Sequence, residues 1–225
     1  MKTSQDRMIE KYSESEIYNA KKEVVRAQVE RFHEYYEDYF NRKETLLMVE
    51  YFFERIYNLD GRKQWINIAI NSFDKVKNIM KDSTRESVEQ LMDLNQLTDR
   101  LDTEMAAYLL DKEWKGEKLS RSEFDEIFSL LGYPNERAHQ LQHVLNNLQQ
   151  FYHLAHRPIN AVILKPVKVM SNMLGISPLF DTIEAGYLAC QPVRKEIFEA
   201  FYDEVNKKEW NYLFDRFPEL RKNEQ

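Results

Sequence analysis

Apolar residues recur at spacings of three and four along almost the whole chain, and helix-breaking residues are scarce. Of 225 residues only five are glycine and six are proline, and every proline lies after Tyr133. Alternating apolar–polar runs bounded by turn residues are absent. A period near 3.6 gathers apolar side chains on one face of a helix, whereas a strand needs a period of two. The fold class expected is therefore all-α: a single-domain bundle of about seven to nine helices with a central apolar helix. The domain is expected over residues 16–217, between a flexible N-terminus (1–15) and a frayed tail (218–225).

The pattern predicts a first long helix over 16–40, with Val25, Phe32, Tyr36 and Tyr39 on one face. A second, over 44–57, is apolar nearly all round: Leu46, Leu47, Met48, Val49, Tyr51, Phe52, Phe53, Ile56 and Tyr57. A helix of that kind belongs in the core. Asp60-Gly61 ends it, and helices over 63–80 and 85–110 follow. Ser120-x-x-Glu123 reads as a capping box that opens a short helix, and Gly132 reads as its stop. A long helix follows over 136–156. Pro158, Pro166, Pro178 and Pro192 suit first helical turns, although Pro166 also fits a kink within one stripe running from Ile159 to Leu174. A last helix, over 192–214, buries Ile197, Phe198, Phe201, Val205 and Leu213.

Charge and cysteine content narrow the function classes. The net charge is -6, which argues against a nucleic-acid partner, since polyanion binding needs clustered Lys and Arg. No apolar run approaches the roughly 18 residues of a membrane span, and the first residues lack the apolar core of a signal peptide. A single cysteine, Cys190, excludes an intrachain disulfide and any multi-cysteine zinc site. A soluble cytoplasmic protein is the expectation.

The run Tyr51-Phe52-Phe53-Glu54-Arg55-Ile56-Tyr57 resembles the signature of the bacterial FFLEELY-motif proteins. Phe52, Glu54 and Tyr57 match that signature. Tyr51, Phe53 and Ile56 are apolar or aromatic exchanges, and Arg55 reverses the sign of an acidic position. The stretches 94–102, 157–175 and Glu184-Ala185-Gly186 also resemble family segments, so that the likeness covers roughly residues 25–214. The resemblance implies a helical fold and assigns no activity, cofactor or catalytic residue.

Two Glu-x-x-His pairs, Glu30/His33 and Glu136/His139, have the spacing of di-iron carboxylate ligands, with Glu50 or Glu54 and Glu104 as lone carboxylates. Helical-wheel geometry opposes this, because Glu30 lies about 160° and His33 about 100° from Phe32 on the apolar face. Glu50 and Glu54 stand one turn apart on an otherwise apolar helix and need a cation, a metal or an open seam beside them. Haem is a third option: His33 borders the aromatic face of Phe32, Tyr36, Tyr39 and Phe40 and has the chemistry of an axial ligand. Cys190 has no acid–base partner nearby in sequence, and neither a nucleophile elbow nor a glycine-rich phosphate loop occurs.

The clearest anomaly is residues 137–180, a stretch of 44 residues with no Asp or Glu and four positive charges, Arg137, Arg157, Lys165 and Lys168. It also holds His139, His143, His153 and His156. On the 136–156 helix His139, His143, Asn146, Gln150 and His153 lie opposite the apolar side. His139 and His143, at i and i+4, suit chelation of one metal, whereas a solvated face is the plainer explanation. The many amides here point to partial burial against a partner chain or a polar ligand. Lys165 and Lys168 flank an apolar stripe that suits an acidic ligand, an anionic membrane surface or simple core packing.

The leading expectation is a non-enzymatic binding or protein-interaction module without a cofactor. Its contact residues would be His139, His143, Gln150, His153, Lys165 and Lys168, and its partner a protein, a second copy, or an apolar or anionic small ligand. The rival is a helical metalloenzyme with iron or haem, drawing on His33, Glu50, Glu54, Glu136 and His139.

Overall fold

Two serines open helices, Ser120 as the sequence predicts and Ser13 without having been singled out there. In the computed structural model, which describes residues 11–55, 57, 67, 70, 71, 73, 82–156 and 177–224, the side chain of Ser13 accepts a hydrogen bond from the Glu16 amide. The Glu16 carboxylate in turn accepts from the Ser13 amide at 2.8 Å. Helix α1 (Glu14–Tyr35) therefore starts two residues before the expected position. Ser120 and Glu123 form the same reciprocal pair at the start of α5 (Arg121–Leu131), which stops at Gly132 with φ +76°. Both boxes satisfy amide donors that the first helical turn leaves without partners.

Eight α-helices stand among the described residues. After α1 come α2 (Glu37–Phe40), α3 (Leu46–Glu50), α4 (Asp82–Asp111), α5, α6 (Pro134–Ala155), α7 (Ser177–Cys190) and α8 (Lys195–Arg216). A π-helical turn, Tyr51–Arg55, continues α3, and a 3₁₀ helix, Pro218–Glu224, follows α8 with Leu220 buried. No strand occurs among the described residues, and the chain is an all-helical single domain. The longest packing seam joins α1 to α4, while α6 packs against α4, α7 and α8. Of the helix expected over 63–80 only Asn67, Ile70, Asn71 and Phe73 are described, all four helical, while Ile56 and the segment 157–176 with Lys165 and Lys168 lie outside the described residues.

Two expected elements depart from the simple periodic picture. The first long helix breaks at Tyr36, whose backbone (φ -124°, ψ 26°) leaves the helical region and whose hydroxyl is drawn inward to Glu209. The apolar second helix becomes α3 plus the π turn. A π turn widens the coil by one residue, so three consecutive aromatics, Tyr51, Phe52 and Phe53, are all buried. Phe53 stacks on Phe32 and Tyr36 at 4.5 and 4.9 Å between centroids, while Tyr51 and Phe52 meet Phe151 edge-on. The segment is not buried all round: Leu47 is 56% exposed, and Glu50, Glu54 and Arg55 open onto a surface groove.

Gly186 on α7 is where this packing is tightest. A Cβ built there would lie 2.7 Å from the rings of Phe151 and Tyr51. Neither ring has room to withdraw, since both are buried. Gly186→Ala is expected to lower stability by about 1–3 kcal/mol despite alanine's better helix propensity, because overpacking of a filled core outweighs the propensity gain. Chemical denaturation checks this, and an unchanged or raised midpoint would contradict the packing described.

Candidate functional site

The buried charges sit where apolar residues are due. On α1 the buried positions Val24, Ala27 and Arg31 follow one another at steps of three and four. On α8 the series is Phe198, Phe201, Val205 and Glu209, and on α6 it is Arg137, Leu141, Leu145 and Leu148. Burying a charge at such a position is costly unless a partner meets it.

Arg31 and Glu209 meet each other. The Nη1 and Nη2 atoms of Arg31 donate to the two carboxylate oxygens of Glu209 at 2.9 and 2.6 Å, and the Tyr36 hydroxyl donates to the same carboxylate at 2.7 Å. The guanidinium also lies over the rings of Phe32 and Tyr212 at 4.6 and 4.3 Å. Burial opposes the charge on Arg31, but Glu209 prevails and holds the guanidinium above its ordinary pKa. Burial and the adjacent carboxylate together push the Tyr36 phenol well up, so it stays protonated and a donor.

Arg137 is placed differently. It is only 5% exposed, lies over Phe128 at 4.3 Å, and forms no ion pair among the described residues. Its Nη1 donates to Gln140 Oε1 and its Nη2 to the Met105 sulfur, both at 3.3 Å, while its Nε has no acceptor. Of five guanidinium N–H donors, three therefore remain without acceptors. Burial pushes the Arg137 pKa down, with the charge of Asp102 the main opposing influence.

Arg31 and Arg137 line one cavity of about 60 Å³ between α1, the π turn, α4, α5, α6 and α8. Phe32, Phe52, Phe53, Phe124 and Phe128 supply apolar wall, and Gln28, Tyr57, Asp102 and Gln140 add polar groups. Gln140 is turned by its donation to Thr98 on α4, which leaves its carbonyl to Arg137. The Arg31 Nε, like that of Arg137, is buried without an acceptor.

The residues singled out from spacing are elsewhere. His33 and Glu54 do come together, with Nε2 and Oε1 2.7 Å apart, but at the surface, both nearly half exposed, with His33 stacked on Phe40. Glu30 turns outward to Arg26 and Lys118, and Glu136 lies 3.9 Å from Arg100. Glu50 lines the surface groove with Glu54. The aromatic face beside His33 packs into the core through Phe32, Tyr36 and Tyr39 rather than forming a pocket around the imidazole. No three His, Cys, Asp or Glu side chains among the described residues are grouped to hold a metal ion, so the di-iron set does not converge.

The amide-rich face of α6 is partly buried as expected, yet its cover is the chain itself. His143 Nδ1 lies 3.2 Å from the Gln90 carbonyl oxygen, and Gln150 donates to the Gln90 side chain at 3.3 Å. His139 and His153 remain exposed, His139 with its ring 4.1 Å from that of His143. Cys190 is fully buried and burial pushes its thiol up to about 12, which removes thiolate at neutral pH.

Glu209→Gln is expected to cost about 3–5 kcal/mol, because it strands the Arg31 guanidinium in the core. Glu30→Gln, at a pair open to water, is expected to cost less than about 1 kcal/mol. Urea unfolding of both variants provides the comparison, and equal losses would contradict the buried-pair reading.

No described helix is long and apolar enough to cross a membrane. No curated protein and no solved structure matches the chain. The model of the family described as Domain of unknown function (DUF8198) matches residues 8–217, and the chain belongs to that family.

Proposed function

We propose that the chain is a non-enzymatic binding protein whose site is the cavity between α1, α4, α6 and α8. One observation carries this reading: Arg31 on α1 and Arg137 on α6 line one cavity, and each has a buried Nε–H without an acceptor. Folded proteins rarely leave such donors unmet, and an exception marks a missing water, ion or ligand. Catalysis finds no comparable support among the described residues, where Glu209 and Glu104 are engaged by arginines, His33 pairs with Glu54 at the surface, and His139 and His153 are exposed. Phe52 and Tyr57, from the segment that resembles the FFLEELY signature, line the cavity, so the same reading gives that segment a role as wall. The surface formed by His139, His143, Gln150 and His153 is the weaker site, because α4 occupies two of its four residues.

A ligand that binds only the folded state raises Tm in proportion to the logarithm of its concentration, by about 3–5 °C per tenfold increase above its dissociation constant for a chain of this size. Thermal unfolding with acetate, acetamide and ethanol as probes tests the site. At least one probe is expected to raise Tm of the wild-type chain. The rise should disappear in Val144→Phe, which fills the cavity from a half-buried position on its wall. Responses that are identical in the two proteins, or absent from both, would refute the site.

A further inference from the structure

Two buried guanidinium groups bring N–H donors without acceptors to the residues around this cavity, and that defines a ligand class. The carboxylate of Glu209 already accepts three hydrogen bonds, two from Arg31 and one from Tyr36. The Gln140 carbonyl is taken by Arg137, and Asp102 has a partner of its own. Against these stand the Nε–H groups of Arg31 and Arg137, both without an acceptor, and two further unused N–H groups on Arg137. The charges are unequal as well. Glu209 neutralises Arg31 by direct contact, whereas Arg137 has a thioether, an amide and a phenyl ring in contact and feels the charge of Asp102 without an ion pair.

We infer that the cavity takes a small oxyanion, a carboxylate on a short apolar stem, bound through the Arg137 guanidinium with the Arg31 Nε–H as a second donor. This rests on the cavity being the binding site. A guanidinium presents paired donors in the geometry of a carboxylate. A space of about 60 Å³ is several times the ~10–15 Å³ that admits one water, so it takes a solute of a few heavy atoms, such as a carboxylate with one methyl. Phe52, Phe124 and Phe128 give the stem apolar wall. A neutral molecule of the same size would fill the space and leave the Arg137 guanidinium without a direct ion-pair partner. Asp102 lines the same cavity and repels an anion there, so it limits affinity without supplying a contact.

The test compares sodium acetate with acetamide, which has nearly the same shape and no charge, at an ionic strength held by sodium HEPES, whose anion is too bulky for the cavity. Acetate is expected to raise the wild-type Tm by about 3–5 °C per tenfold increase above its dissociation constant, and acetamide to raise it by less than 1 °C. Arg137→Met should abolish the acetate response, and Asp102→Asn should strengthen it severalfold in affinity by removing the like charge. If Arg137→Met does not fold, the Asp102→Asn shift alone decides, because it is an isosteric change in the full-length chain. Equal responses to acetate and acetamide, both lost in Val144→Phe, would overturn the oxyanion class and keep the cavity as the site. A response to neither probe would mean that waters alone meet the donors, and both readings would fall. An acetate response unchanged in Arg137→Met or weakened in Asp102→Asn would likewise overturn the assignment.

Discussion

Between the first long helix and the last, 178 residues apart, Arg31 and Glu209 are joined by two parallel hydrogen bonds in the core. Moving either group from water into the interior costs several kcal/mol, and only close, paired geometry offsets that. The pair therefore fixes the register of α8 against α1 more narrowly than apolar contact does, since a slide of one turn would strand two charges. Tyr36 adds its hydroxyl to the same carboxylate at the residue where α1 breaks. Its ring stacks on Phe53, which ties the π turn to this centre. The positions of α1, α8 and the π turn thus rest on one polar contact and the aromatic rings around it.

The cavity is a consequence of that arrangement. Side chains of α1 and α8 held by the Arg31–Glu209 bond form one side, and α6 closes the space with Arg137 and Gln140. Bulky guanidinium groups pack less completely than leucines, and each brings donors that apolar neighbours cannot meet. A core assembled only for stability would place apolar residues at these three helix positions, because replacing a buried ion pair by hydrophobic residues is often neutral or stabilising. On the proposed reading a ligand supplies the acceptor that the Arg137 guanidinium lacks.

Much of the fold was legible because it depends on neighbours in sequence. The capping box at Ser120, the glycine stop of α5 and the helix at 136–156 follow from spacings of four residues or fewer and stand near their expected positions, and the box at Ser13 has the same local origin. The break at Tyr36 and the π turn were not legible, because they respond to partners on α8 and α6. Glu30/His33 and Glu136/His139 had metal-ligand spacing, but spacing fixes only the angle between two side chains on one helix. It does not say whether that angle faces a neighbour, and here Glu30 faces Lys118 and water. The amide-rich side of α6 suggested cover by a partner chain or a polar ligand, whereas His143 and Gln150 meet Gln90 on α4, 53 residues from His143, and His139 and His153 are exposed.

Of the candidate site, the sequence carried one overlooked signal: Arg31, Arg137 and Glu209 each occupy the apolar phase of their helices. That signal says a charge will be buried and says nothing about what meets it. By itself, then, the sequence determined that the chain is helical, where several helices begin and end, and which faces turn inward, since these follow from local hydrogen bonding and a 3.6-residue period. Only the tertiary structure decided that Arg31 would meet Glu209 and that Arg137 would meet no carboxylate. Pairing between distant helices depends on their rotation and axial offset, which the packing of all the helices sets together.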